Sequence, residues 1–526
     1  MSPRVTVLIA LLAFLAACSE SPVAACASTD PANCGGDALL AKGPADPLAK
    51  ANPLPPELEQ QVRTLRATLE GDGYEVARGY WFLFTNDDCT QPIRLMGNCY
   101  GNNPAAPYIA AAVPHWRDEH IDRQLHLVLG ARQRSMAAIF RMDEREALVI
   151  AALLPPAGAY FGMQSYVFSR QGAINEADRI YTSLSTFPDV RDLLFAMTPN
   201  PARPLVFASL GNSINNVVVQ QQSQGSFATQ RFFIITPDGA MERAMKEALL
   251  ASGVPTADDI FTEPLSTDLV RVGLGPEADD LLVLFRYAMP TDSLAGEAWR
   301  QRLPLAVLRV RDTRTDRATL PYAVPAYEVR MAISDTALAR DVDSLTAAVK
   351  RHWGQPGAPV LPFINAFTRV DLVGQHCLLR PMNCLGDTQD TDTYRISPLL
   401  TLDGGEVIAL VSPLATATGN ATYVSLGVNR AEVLMAVANI SNDQLDGTAT
   451  AFNSTVNNAG KLYLWYLARD CSGLPNCTTV TEALVPRGET IKIMQRNYMF
   501  PGSRRGPDAT KLLSPWAIVL DGSERP

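Results

Sequence analysis

The feature that most constrains this chain is a divergent internal duplication. ELEQQVRTLRATLE, residues 57–70, places Leu58, Val62, Leu65 and Leu69 at helical spacing, opened by Pro55 and Pro56 and closed by Gly71. SDTALARDVDSLTAAVKRHW, from Ser334, does the same with Leu338, Val342, Leu345 and Val349; Ser334 or Asp335 is the N-cap candidate and Gly354 the stop. Each helix is followed by a cysteine, a short loop, Asn-Cys-x-Gly, a polar turn and a tyrosine. Asn98, Cys99, Gly101 and Tyr108 thus correspond to Asn383, Cys384, Gly386 and Tyr394. Further on, ALVIAALLPPAGAYFGMQSYVFSR matches EVIALVSPLATATGNATYVSLGVNR, and VFASLGNSINN matches LMAVANISNDQ. Two copies are too few for a solenoid, so two related domains packed about a pseudo-twofold are expected.

The repeated segments are short, rich in Val, Ile, Tyr and Ala, and broken by Gly, Pro and Asn, which is strand and hairpin chemistry. RFFIITPDGAMERAMKEALLASGVP, followed by IFTEPL and LPLAVLRVRD, has a different texture: a strand, an Ala-rich helix and further strands. The expected fold class is α+β, with two β-rich, sandwich-like halves, each preceded by a helix, and an α/β insertion at about 205–315 in the first half. The halves are placed at 55–325 and 326–526, after a signal at 1–17 and a Pro/Gly/Ala-rich tether at 18–54.

The opening MSPRVTVLIALLAFLAAC has one arginine, an apolar run from Val5 to Leu15 and small residues before Cys18. Its apolar core is too short for a spanning helix and reads as an export signal. Leu15, Ala16, Ala17 and Cys18 resemble the bacterial lipobox, which implies a mature chain starting at Cys18, diacylated on its thiol and held on a membrane of the cell envelope. The outer membrane or the periplasmic face is the expected place. With Cys18 set aside, the other eight cysteines fall into neighbouring pairs: Cys26 with Cys34, Cys89 with Cys99, Cys377 with Cys384, Cys471 with Cys477. Four local disulfides in an oxidising compartment follow. None has metal-finger spacing.

A net charge of -9 and a pI near 5.2 argue against nucleic acid as a partner. No Gly-x-Gly-x-x-Gly or Walker loop supports a nucleotide cofactor. The polar turns after the paired cysteines are the candidate site, because disulfides pin their side chains on a scaffold. The second turn supplies Asp387, Asp390, Asp392 and Tyr394, a set that could bind Ca²⁺ although it departs from the EF-hand spacing. The first supplies Asn102, Asn103 and Tyr108, suited to hydrogen bonding. If both turns face one cleft, they would grip a polar ligand; alternatively the aspartates would serve an exported hydrolase as acid and base. His115, His120 and His126, among Asp118, Glu119 and Asp122, share no helix face and are expected on a solvated surface. Ser213 lacks the Gly-x-Ser-x-Gly of an esterase elbow and is expected to be a buried strand end.

The run Gly158 to Gln164, the run Val206 to Gly211 and the Asn-rich turn ending in Tyr108 resemble segments of a large uncharacterised family of bacterial envelope proteins. In that family β-rich domains carry an Asn-x-Asp-Thr-x-Tyr turn. The resemblance covers about a quarter of the chain, the first copy lacking the Asp-Thr pair. It implies a β-sandwich-like core and brings no established activity. The overall expectation is a lipid-anchored envelope protein that binds a ligand or partner protein at the pinned turns.

Overall fold

A computed structural model describes residues 51–126, 128–129, 135–172, 200, 202–365, 374–379, 384, 389–392 and 394–526. The first half runs α1 (Pro56–Gly71), β1 (Glu75–Arg78), β2 (Tyr80–Leu83), α2 (Thr90–Met96), β3 (Ile109–Pro114), α3 (Arg123–His126), β4 (Met136–Ala137), β5 (Glu146–Leu153) and β6 (Gly158–Ser169). It continues with β7 (Leu205–Ser209), β8 (Ile214–Asn215), α4 (Asn216–Gln222), β9 (Gln230–Thr236), α5 (Gly239–Ala251), β10 (Ile260–Pro264), β11 (Asp280–Pro290), α6 (Ser293–Arg302) and β12 (Leu305–Arg311). The second half runs α7 (Ala339–His352), β13 (Val360–Pro362), β14 (Ile364–Asn365), β15 (Arg395–Ile396), β16 (Glu406–Pro413), β17 (Tyr423–Arg430) and β18 (Met435–Ser441). It closes with α8 (Asn442–Leu445), β19 (Leu462–Ala468), β20 (Cys477–Thr479), β21 (Ile491–Tyr498) and β22 (Trp516–Asp521).

The fold is α+β and β-rich, and the duplication is complete at the level of topology. In the first half one sheet is ordered β1-β12-β5-β9-β10 and the other β2-β3-β11-β6-β7, with β4 and β8 at its margins. In the second half the orders are β13-β22-β16-β19-β20 and β14-β15-β21-β17-β18. Taken in chain order, these are the same two permutations. Even a local detail repeats: Met289 and Met499, at the ends of β11 and β21, both have φ of 48°.

In each half the two sheets pack face to face. Leu148, Ile150, Phe233 and Val307 of one sheet meet Ile109, Phe161, Met163 and Phe285 of the other, and Ile408, Leu410, Val424, Leu426 and Ile493 make the corresponding core of the second half. Each of these burials contributes roughly 1.5–3 kcal/mol. Helix α1 lays Leu58, Val62, Leu65 and Leu69 on the outer face of its sheet, against Ala147, Val149 and Leu308, and α7 does the same with Val342, Leu345 and Val349 on Val407, Ala409 and Ile518. Those sheets are apolar on both faces because both are covered. Asp335, one N-cap candidate, does not cap α7: a short 3-10 turn precedes the helix, and the Asp335 carboxylate accepts from Leu513 N at 2.7 Å instead.

The α/β segment is woven into the first half, since β9, β10 and β12 complete its first sheet and β11 lies central in its second. Parallel β9 and β10 are joined through α5. Their counterparts β19 and β20 are also parallel, but eight residues closed by the Cys471–Cys477 disulfide replace the helix. No helix among the described residues is long and apolar enough to cross a membrane.

Candidate functional site

The outer faces of the β11 and β21 sheets face each other, so the halves meet along a seam where Tyr160 and Ala288 pack on Tyr423 and Tyr498. The pinned turns clasp this seam reciprocally. The first loop, closed by Cys89–Cys99, reaches the second half: Cys99 N donates to Val433 O and Gly101 N to Leu434 O, each at 2.8 Å, while Asn102 Oδ1 accepts from Ala436 N at 2.9 Å. Gly101 (φ 57°) lies against β21, and a Cβ there would come within 3.3 Å of Met494. The second loop, closed by Cys377–Cys384, reaches the first half: Gln375 Oε1 accepts from Gly211 N at 2.9 Å, and Gln389 Nε2 donates to Ser209 Oγ at 2.8 Å. Both loops therefore join the halves as well as presenting side chains.

Asp390 crosses the seam and is 1% exposed. Tyr160 OH donates to it at 2.6 Å, Asn215 Nδ2 at 2.9 Å, and Ser213 Oγ donates to its Oδ1. Burial pushes its carboxyl up, against these hydrogen bonds. Gly162 makes the space, since a Cβ there would lie 2.6 Å from Asp390 Oδ2. Asp392 turns elsewhere, to Arg395 and to Asn497 N (3.1 Å) and Nδ2 (2.8 Å). Asn103 Nδ2 donates across the seam to Tyr498 OH at 3.3 Å. Tyr108 stacks under Arg286, 4.7 Å from its guanidinium carbon, and Tyr394 under Arg496 at 4.9 Å. Asn103, Tyr108, Asp390 and Tyr394 are thus brought to one seam; Asn102 is committed to the clasp and Asp392 to its own half. Cys18, Cys26, Cys34 and Asp387 lie outside the described residues, while the other three disulfides are formed.

Beside the clasp lies a cleft of about 300 Å³, lined by Gly211, Asn212, Ser213, Phe261 and Glu263 of the first half and Arg504 of the second. Glu263, at the end of β10, accepts from Ser165 N (3.0 Å) and Ser165 Oγ (2.9 Å) and is 3% exposed. Burial lifts its carboxyl to about 7, outweighing the two hydrogen bonds. At neutral pH it can hold or release a proton beside the cleft. Arg504 pairs with Glu328 at 3.0 Å on the rim. Ser213, expected at a strand end, is buried and lies just before β8, and its hydroxyl links the cleft to Asp390.

The histidines correct an expectation. His115 and His126 are buried, with His115 Nε2 3.2 Å from His126 Nδ1, and burial together with His115 pushes His126 down to about 3. They abut a buried ion network in which Arg309, 0% exposed, contacts Glu119 at 2.7 Å and Glu146. The sequence hid this because Glu119 pairs inward while its neighbour Asp118 stays exposed; of the three histidines His120 is the exposed one. Despite its burial, Glu119 is held down to about 2 by Arg309, His115 and the Arg141 amide. Among the described residues no three His, Cys, Asp or Glu side chains converge to hold a metal.

Arg286, Arg496 and Glu263 went unread in the sequence. A signal for the arginines exists: FRYAM at 285–289 and QRNYM at 495–499 place one arginine at the same point of equivalent strands. Phe285 pairs with Ile109, which follows Tyr108, and Gln495 pairs with Arg395, which follows Tyr394.

The fold and seam together define a two-unit β-rich protein with a polar junction. No family model and no curated protein matches the chain. Among solved structures it is similar to the VPA0106 protein from Vibrio parahaemolyticus, at 9% identity over 88% of this chain and 96% of that one, with a TM-score of 0.37. At that level neither fold nor function is carried over.

Proposed function

We propose that this is a lipid-anchored cell-envelope protein that binds a small polar ligand in the cleft where the halves meet. The observation that carries the reading is the cleft's wall: a carboxyl that titrates near 7 from one half and a guanidinium from the other, around about 300 Å³ of space. Concave sites with a few convergent polar groups and a shifted carboxyl are the usual form of ligand sites. The lipobox-like sequence before Cys18 supports the membrane address.

A thermal-shift screen of small polar compounds against the mature protein tests this. A ligand should stabilise the wild type and lose its effect in Gln221→Trp, which crowds the cleft from an exposed rim position. Ligands that stabilise both equally would place binding elsewhere. Labelling with a fatty-acid analogue should mark the wild type and not Cys18→Ser; equal labelling would refute the anchor.

A second reading is an exported hydrolase. It draws support from Glu263, a proton donor near neutrality, more than from Asp387, Asp390 and Asp392, since Asp390 and Asp392 are already held by protein donors. The same engagement weakens a Ca²⁺ site there, and calorimetry showing Ca²⁺ uptake lost in Asp390→Ala would reinstate it.

A further inference from the structure

Arg286 sits at the middle of β11 on the seam face and is 5% exposed. Among the described residues no atom accepts a hydrogen bond from its guanidinium. Its neighbours are the phenols of Tyr108, Tyr166, Tyr394 and Tyr498 and the ring face of Tyr108. Phenols and rings supply dipoles and a quadrupole, which temper a buried cation without neutralising it.

Arg496, its counterpart on β21, repeats the arrangement on Tyr394. Its Nη2 donates to Gly101 O at 2.5 Å, while its Nη1 is buried with no partner. Tyr394 bears on both, lying under Arg496 and interacting electrostatically with Arg286. Asp390 is the carboxylate that bears electrostatically on Arg286, but both its oxygens are taken by Tyr160, Ser213 and Asn215. Two guanidinium groups, one per half, therefore lie buried at equivalent places on the seam, each over a tyrosine, with donors in excess of acceptors. Water would satisfy donors and leave the charge uncompensated; an oxyanion does both.

We propose that the seam binds one small oxyanion, of the phosphate, sulfate or carboxylate type, between Arg286 and Arg496. Each half contributes one arginine and one tyrosine, so the anion is a bridge between the duplicated units. This site is separate from the cleft at Glu263 and does not depend on it.

Two measurements on the full chain test it. Protein purified in phosphate buffer, exchanged into chloride and denatured should release about one equivalent of phosphate by ion chromatography. Phosphate titrated against chloride at constant ionic strength should raise the melting midpoint saturably. In Arg286→Lys, which keeps the charge but loses the planar fork, apparent phosphate affinity should fall about tenfold; in Arg286→Gln release and shift should vanish. If Arg286→Gln does not fold, Arg286→Lys and Arg496→Lys decide. Absence of both released phosphate and a specific shift in the wild type overturns the proposal, as does a shift undiminished in the arginine variants. Ligand binding in the cleft, read through Gln221→Trp, would survive that outcome.

Discussion

The two halves share the strand order of both sheets, the marginal β4 and β8 of the first half apart, and differ in how their polar interior is built. The first half buries Arg309 with Glu119 and Glu146, and Arg170 with Asp279, and it places Glu263 on a cleft. The second uses a two-member pairing, Arg395 with Asp392, and replaces the helix between its parallel strands with a disulfide-closed loop. Topology survived divergence because apolar alternation on two covered sheets tolerates exchange of one apolar residue for another. Buried charge does not, because each ion needs its own partners, so it marks where the halves diverged.

The contrast is broken most severely at Arg309. Arg309→Met strands two buried carboxylates and should cost on the order of 3–5 kcal/mol by urea unfolding. Arg395→Met should cost less, since it leaves one buried carboxylate, Asp392, without its cation rather than two. Equal losses would mean that the networks are equivalent.

Glu263 comes next. Its folded carboxyl titrates near 7, above the unfolded value of about 4.5, so the folded state binds the extra proton between those pH values. Stability should therefore fall as pH rises from about 4.5 to about 7, by roughly 3 kcal/mol, then level off. Glu263→Gln should remove that slope and be the more stable protein at pH 8. An unchanged slope would place the titration elsewhere.

The smallest effect is expected at the loop that replaces α5. Removing both Cys471 and Cys477, six residues apart, should cost about 2 kcal/mol through loop entropy. A loss well above that would show that the disulfide holds more than its own loop.

Much of the fold was legible from particular residues. Leu58, Val62, Leu65 and Leu69 pointed inward because helical spacing needs no partner to be read, and Cys89 with Cys99 paired because near neighbours close local loops. The polar turns were singled out from the sequence, yet the partners of Asp390 lie on the other half, 230 residues away at Tyr160 and 177 at Ser213. Spacing carries no information at that range. Arg286 went unread, and His115 and His126 were expected at the surface, because burial of a charge depends on partners that only the tertiary fold supplies.

The clasp loops bond the duplicated halves to each other across their seam. Native-state hydrogen exchange tests it most directly at the clasp amides of Cys99, Gly101 and Gly211, which bond to Val433 O, Leu434 O and Gln375 Oε1. Their exchange should be about as slow as that of central amides in β11 and β21. Exchange at the rate of an exposed turn would mean that the halves part freely, and would contradict that bonding.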